Sequence, residues 1–192
     1  GPAGGVIGCA AISDINNFDS IIGFDMGGTS TDVSRYDGNL SKVVEVSSGG
    51  INFNASSLDI ETVAAGGGSL LDFDGQRLLV GPESAGALPG PVCYGLDGKL
   101  ALTDANLILG RINPNFFPKV FGIDQRQKLD QAATKSAFEE LKNKINAATS
   151  SSFTLDSLAQ GFLDIANEKM AATIKKISIA RGYDVRNHTL IS

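Results

Sequence analysis

The chain has 192 residues, enough for one domain or for one domain with a helical appendage. Hydrophobic residues make up 42% and charged residues 19%, which supports a packed core and excludes wholesale disorder. The net charge of −5 gives no basic field for nucleic acid or an anionic membrane surface, so an anion site must be built from local backbone N–H groups and a metal ion.

Residues 3–13 (AGGVIGCAAIS) are small and apolar and predict a short buried helix, with a polar break at Asn16 and Asn17. A buried strand is expected over 20–25 (SIIGFD), a Gly-rich turn over 26–30, and a second strand over 31–36 (TDVSRY). Asp37-Gly38 is a hairpin signal leading to a third strand over 42–47. Residues 48–57 read as a loop. Residues 58–63 fit a strand or a short helix. A second glycine turn spans 64–69 (AAGGGS), and 70–80 reads as a hairpin about Asp74-Gly75. Pro82, Pro89 and Pro91 predict irregular backbone over 81–90. Thr103 or Asp104 caps a helix running to about Arg111, and a Pro/Phe-rich loop covers 113–122.

The last third is helical. Ala133, Ala137, Leu141 and Ile145 recur every fourth residue within 130–148. Thr154 caps a longer helix striped by Leu158, Phe162, Ile165, Met170, Ile174 and Ile177, which stops at Gly182. Residues 185–192 are expected to close as a strand. The whole, residues 1–192, reads as one domain, with a sheet and phosphate-loop region over 1–122 and a helical region over 123–192.

Cys9 and Cys93 make neither a disulfide framework nor a zinc set, and a single histidine, His188, excludes His-rich metal sites. No run of residues is apolar enough to span a bilayer and no signal peptide is evident, so a cytoplasmic setting is expected. The opening GPAGG and the closing TLIS read as a piece cut from a longer protein.

The chemistry concentrates in residues 23–33 (GFDMGGTSTDV). An apolar strand delivers Asp25, then Gly27 and Gly28, then three hydroxyls at Thr29, Ser30 and Thr31. Glycines without a Cβ let backbone N–H groups turn toward a phosphate, and the hydroxyls add donors. Asp25 carries the wrong charge to hold phosphate. It suits Mg²⁺, through water, or the orientation of an attacking water. Asp32 is a further acceptor behind it. No GxxxxGK[ST] and no GxGxxG is present. Gly66, Gly67 and Gly68 form either a second anion nest or a plain glycine turn beside the cleft. Glu83 and Ser84 line a substrate cleft, or Glu83 simply holds a turn. Cys93 reads as a buried small residue, Asp104 as a helix cap, and His188 as a surface or satisfied strand residue.

GFDMGGTSTDVS resembles the second phosphate motif of the actin-like ATPase superfamily, in which a small-residue helix such as GPAGGVIGCAAIS precedes that motif and joins two lobes. GPAGGVIG, DMGGTSTDVS, AAGGGSL, VGPESAGALPGPVCYG, TDANLILGR and ARGYD, in this order, resemble the hydantoinase A/5-oxoprolinase family over nearly the whole chain. The resemblance implies an α/β fold, a mixed sheet with packed helices forming one lobe of an actin-like (ribonuclease H-like) ATPase. It implies ATP and Mg²⁺ as cofactors and a cyclic amide substrate, with 5-oxoproline opened to glutamate as the leading case. A ketone carboxylase subunit and a chaperone-like ATPase module are the rivals. It implies as partners the missing lobe and a hydantoinase B-type domain or subunit, and weak or no ATP binding by the piece alone. Many hydantoinase A relatives carry His where Glu61 stands, so sites borrowed from those relatives do not transfer.

Overall fold

The structure, a computed structural model, describes residues 1–48 and 51–192, with side chains described outside 44–55. In chain order the elements are helix α1 (Pro2–Asn16), strands β1 (Ile21–Met26), β2 (Thr31–Tyr36), β3 (Lys42–Ser48), β4 (Ile51–Leu58), β5 (Ile60–Val63), β6 (Ser69–Phe73) and β7 (Leu78–Ser84), helices α2 (Leu102–Ile108), α3 (Gln131–Thr149) and α4 (Leu155–Ile177), and strand β8 (Thr189–Ile191). They form two compact units. One holds Gly1–Met26, Thr31–Val63 and Met170–Ser192; the other holds Gly27–Ser30 and Ala64–Lys169.

The first unit is built on a mixed sheet of order β5-β2-β1-β8, in which β1 runs parallel to β8 and antiparallel to β2, and β2 runs antiparallel to β5. Strand alternation sorts its side chains. Ile21 packs with Ala10 of α1 and with Tyr36, whereas Ile22 and Val33 pack with Ile177 at the end of α4. Ile21, Ile22 and Val33 are almost fully buried, each contributing about 1.5–3 kcal/mol of apolar burial. Helix α1 survives three internal glycines because Val6, Ala10 and Ser13 are buried on one side, and Pro2 sits in its first turn. It ends where Asn17 turns left-handed and donates back to Ser13 and Asp14. A buried helix was expected, and this one is buried on that side only: Ile7, Ile12 and Ile15 are exposed.

The second unit contains the β6/β7 hairpin, α2, α3 and α4 up to Lys169. Asp130 caps α3 by accepting from Ala133, at 2.8 Å. Thr154 caps α4: its hydroxyl accepts from the Ser157 amide at 3.1 Å, and Ser157 Oγ accepts from the Thr154 amide at 2.9 Å. Among the stripe residues assigned to this unit, Leu158 and Phe162 are buried and Ile165 is half-buried.

Several expectations change. Residues 51–58 are strand β4, paired with β3, where a loop was expected over 48–57; Gly49 and Gly50 lie outside the described residues. Because β3 pairs with β4, the turn at Asp37-Gly38 joins only an isolated bridge, Tyr36 to Leu40. Residues 60–63 resolve as a strand. Strand β7 runs on through Pro82 to Ser84, which a two-stranded ribbon tolerates because its outer edge needs no N–H. Helix α2 starts at Leu102, with Asp104 reaching back from its first turn. Buried Thr134 and Phe138 set the inner face of α3 one residue away from Ala133 and Ala137, which are half-buried. Helix α4 stops at Ile177. A 3-10 turn follows before left-handed Gly182, and only Thr189–Ile191 of the closing segment is strand. Among the described residues no helix is long and apolar enough to cross a membrane.

Candidate functional site

Two carboxylates of the first unit lie on the α1 side of its sheet. Asp25 and Asp32 are direct cross-strand partners in the β1–β2 register. Both line a cavity of about 10 Å³ with Gly5, Cys9, Ser34 and Ile60, room for roughly one water. Asp32 accepts a 2.6 Å hydrogen bond from the Thr62 hydroxyl on β5. Asp25 is exposed and accepts no hydrogen bond among the described residues. A Cβ built on Gly5 would lie 2.9 Å from Asp25 Oδ2, so the helix has room for this carboxylate only because residue 5 is glycine. The Cys9 thiol is pushed up, first by burial and then by the Asp25 charge. It is a poor nucleophile there.

Thr31 does not join a phosphate-facing set. Alternation turns its side chain to the opposite side of the sheet, where it is fully buried and its hydroxyl donates to Met170 Sδ at 3.6 Å.

The turn Gly27–Ser30 belongs to the second unit. Gly27 N–H donates to the Ser30 carbonyl at 2.9 Å and closes the turn. The amides of Gly28, Thr29 and Ser30 have no partner among the described residues, and a Cβ at Gly28 would meet nothing within 4 Å. The Thr29 hydroxyl lies 3.5 Å from Ser84 Oγ, at the limit of a hydrogen bond, so these two predicted site residues are brought together. Glu83, one position earlier on β7, points elsewhere. It lines a groove of 890 Å³ together with Leu71, Pro82, Lys99, Leu141 and Lys144. The cleft pair Glu83 and Ser84 is therefore split by strand alternation.

Gly66, Gly67 and Gly68 settle between their two alternatives. Gly67 N–H donates to the Gly27 carbonyl at 3.1 Å and Gly68 N–H to the Gly28 carbonyl at 2.6 Å. Gly66 N–H donates to Ser69 Oγ at 2.9 Å. With all three amides occupied, the segment is no anion nest. It is a glycine turn packed behind the Gly27–Ser30 turn.

The remaining candidates are structural. Asp104 is fully buried and accepts from the amides of Cys93 (2.8 Å), Ala101 (2.9 Å) and Val92 (3.1 Å). Burial raises its carboxyl above the ordinary value despite these donors. Cys93 is fully buried, its thiol pushed far up by burial and then by Asp104. His188 Nε2 accepts from Arg35 Nε at 2.9 Å and Nδ1 lies 2.9 Å from the Asp184 carbonyl, which fits a neutral ring protonated on Nδ1. Sequence reasoning missed Gly5, Thr62 and the grip of Arg181 on Asp59 and Glu61. A glycine inside a helix was the one available signal, for Gly5.

A mixed α/β protein whose sheet presents two facing carboxylates and whose glycine turn presents free amides is the class that fold and site define. Within it, the family model for hydantoinase/oxoprolinase matches residues 1–192, and the chain belongs to that family. It is 49% identical to 5-oxoprolinase of Dictyostelium discoideum over 99% of this chain and 16% of that protein. It resembles the crystal structure of ATP-dependent caprolactamase from Pseudomonas jessenii, with a TM-score of 0.74 and 34% identity over 94% of this chain and 25% of that one. It also resembles the nucleotide-free structure of acetone carboxylase, with a TM-score of 0.82 and 23% identity over all of this chain and 26% of that one. The fold is the hydantoinase/actin-like one expected. The chain spans 15–16% of the length of the 5-oxoprolinases it matches.

Proposed function

We propose that residues 1–192 act as one functional domain, the ATP-phosphate-binding part of a cytoplasmic ATP-dependent hydrolase of cyclic amides, of the 5-oxoprolinase kind. The observation that carries this reading is the Gly27–Ser30 turn, with three consecutive unpartnered amides and open space at Gly28. The similarity to 5-oxoprolinase and caprolactamase supports a ring amide as the substrate. The remainder of the protein, or a hydantoinase B-type domain or subunit, supplies the other half of the site.

In this reading the amides of Gly28, Thr29 and Ser30 donate to phosphate oxygens, with the hydroxyls of Thr29 and Ser30 beside them. Mg²⁺, when bound, would supply positive charge that offsets the phosphates. Among the described residues no group of three or more His, Cys, Asp or Glu side chains is arranged to hold a metal, so the chain's own contribution fits a water-mediated contact from Asp25. Asp25, two residues before the turn and free of hydrogen bonds, orients water; Asp32, tied to Thr62, is a weaker candidate. The γ-phosphoryl group passes to the lactam carbonyl oxygen and ADP leaves; one water adds to the carbonyl carbon and the ring C–N bond breaks to an amine and an acyl phosphate, which a second water hydrolyses to carboxylate and phosphate.

A ketone carboxylase subunit is the second reading; the likeness to acetone carboxylase, at 23% identity, extends to fold alone and is compatible with it. Hydrolysis of Mg-ATP by the complete protein separates the readings. Stimulation by 5-oxoproline or another lactam supports the hydrolase. Stimulation only by a ketone with bicarbonate supports the carboxylase. Hydrolysis indifferent to both points to a chaperone-like module.

A further inference from the structure

The Gly66–Gly68 amides do more than fill space. In a planar trans peptide the C=O of one residue and the N–H of the next point in opposite directions. Gly67 N–H holds the Gly27 carbonyl, so the Gly28 N–H in that same peptide plane is aimed the other way. Gly68 N–H holds the Gly28 carbonyl, so the Thr29 N–H is aimed away as well. These are two of the three unpartnered amides of the turn.

The segment that does the holding is itself fixed. The Gly67 carbonyl accepts from the Thr103 amide at 2.8 Å and from the Thr103 hydroxyl at 2.9 Å, at the start of α2. The Gly68 carbonyl accepts from the Ala85 amide at 2.8 Å, just past β7. Each of the two glycines thus links the turn, through its N–H, to the start of α2 or the end of β7, through its carbonyl.

The three glycines are not equivalent. A Cβ at Gly66 would lie 2.7 Å from the Gly27 oxygen and 2.8 Å from the Gly28 carbonyl carbon and oxygen. At Gly68 it would lie 2.9 Å from the Gly28 oxygen and 2.8 Å from Ser84 Oγ. At Gly67 it would meet only the Thr103 hydroxyl, at 3.1 Å, which can rotate. None of the three has the positive φ that would require glycine for conformational reasons. Close approach to the turn is therefore what excludes a side chain, and it does so at 66 and 68.

We infer that Gly67 and Gly68 are positioning residues that grip the carbonyls of Gly27 and Gly28, with Gly66 leaving room for that approach, and so aim the amides of Gly28 and Thr29 at a phosphate. This rests on the phosphate-binding reading of the turn, and it adds that the turn's geometry is set by a second loop.

The test uses the complete protein with Gly66→Ala, Gly67→Ala, Gly68→Ala and, separately, Asp25→Asn. Affinities for ATP and for adenosine are measured side by side. Misaimed amides weaken ATP by about 30-fold or more in the 66 and 68 variants while adenosine binding stays within about threefold, and Gly67→Ala stays near wild type. Equal losses at all three positions, or parallel losses of ATP and adenosine, overturn the inference. If the 66 and 68 variants do not fold, hydrogen exchange on the wild-type protein decides. The amides of Gly67 and Gly68 should exchange as slowly as those of the β1–β2 pair, and exchange at open-loop rates overturns the grip. Wild-type ATP turnover in Asp25→Asn would count against the phosphate-site reading instead, leaving the exchange result to judge the grip.

Discussion

Arg181 Nη2 donates to Glu61 Oε1 at 3.1 Å while its Nη1 donates to Asp59, so one guanidinium joins two acidic residues of the β5 region to the turn after α4. Lys176 adds a 2.5 Å contact to the same Glu61. The side chains of Asp59, Glu61 and Arg181 are 10%, 20% and 33% exposed, whereas Lys176 is 66% exposed. Arg181→Ala leaves two largely buried carboxylates short of a partner and should cost about 1–3 kcal/mol. Lys176→Ala should cost less than about 1 kcal/mol, because water screens it. Urea denaturation of the two variants checks the order. Glu61 thus meets two cations, Arg181 and Lys176.

Asp104 joins the backbone of 92–93 to the start of α2, and its partners are all donors: three amides, the Thr134 hydroxyl and the Cys93 thiol. Asp104→Asn turns an NH₂ group toward those donors and should destabilise the protein by about 2–3 kcal/mol. The pH dependence follows from the raised carboxyl of the folded state. A raised pKa means the folded state binds the proton more tightly. The contribution is therefore complete below the ordinary carboxylate pKa and is lost as pH rises through the folded value. Thermal melts from acid to neutral pH should show wild type losing part of its advantage over Asp104→Asn as pH increases.

Gly5 and Gly8 sit one helical turn apart on α1 and should respond differently. Gly8 faces open space, so Gly8→Ala should gain about 0.5–1 kcal/mol from helix propensity and leave activity unchanged. Gly5→Ala carries the same propensity gain but sets a methyl 2.9 Å from Asp25 Oδ2. The carboxylate must swing away. Turnover should fall by about tenfold or more without a matching loss of melting temperature. Loss of both in parallel would mean that Gly5 serves packing alone.

Much of this was legible from residue order. The β1–β2 hairpin, the cap at Thr154 and the stripe on α4 follow from strand alternation, side-chain capping and helical spacing, all local rules. The pairing of β3 with β4 was not legible, because a polar, Gly-rich segment shows no alternation and its strand character comes from its partner. Thr31 was misassigned for a related reason. Three consecutive hydroxyls look alike in sequence, but the strand begins at the third and turns it into the core, against Met170. The role of Gly67 and Gly68 lay beyond reach as well, since no local rule indicates that these amides face carbonyls some 40 residues earlier in the chain. What the sequence did carry was the turn itself, with its glycines and with Asp25 at the end of β1.

The most direct measurement of the central claim is Mg-ATP binding and hydrolysis by the complete protein with Asp25→Asn beside Asp32→Asn. Asp25 is free to orient water and Asp32 is held by Thr62. The account predicts that Asp25→Asn lowers turnover by about 10²–10⁴-fold with ATP affinity changed only a few-fold, and that Asp32→Asn has a much smaller effect. Turnover of Asp25→Asn at the wild-type level, or an ATP affinity unaffected by bulky substitution at Gly28, would contradict it.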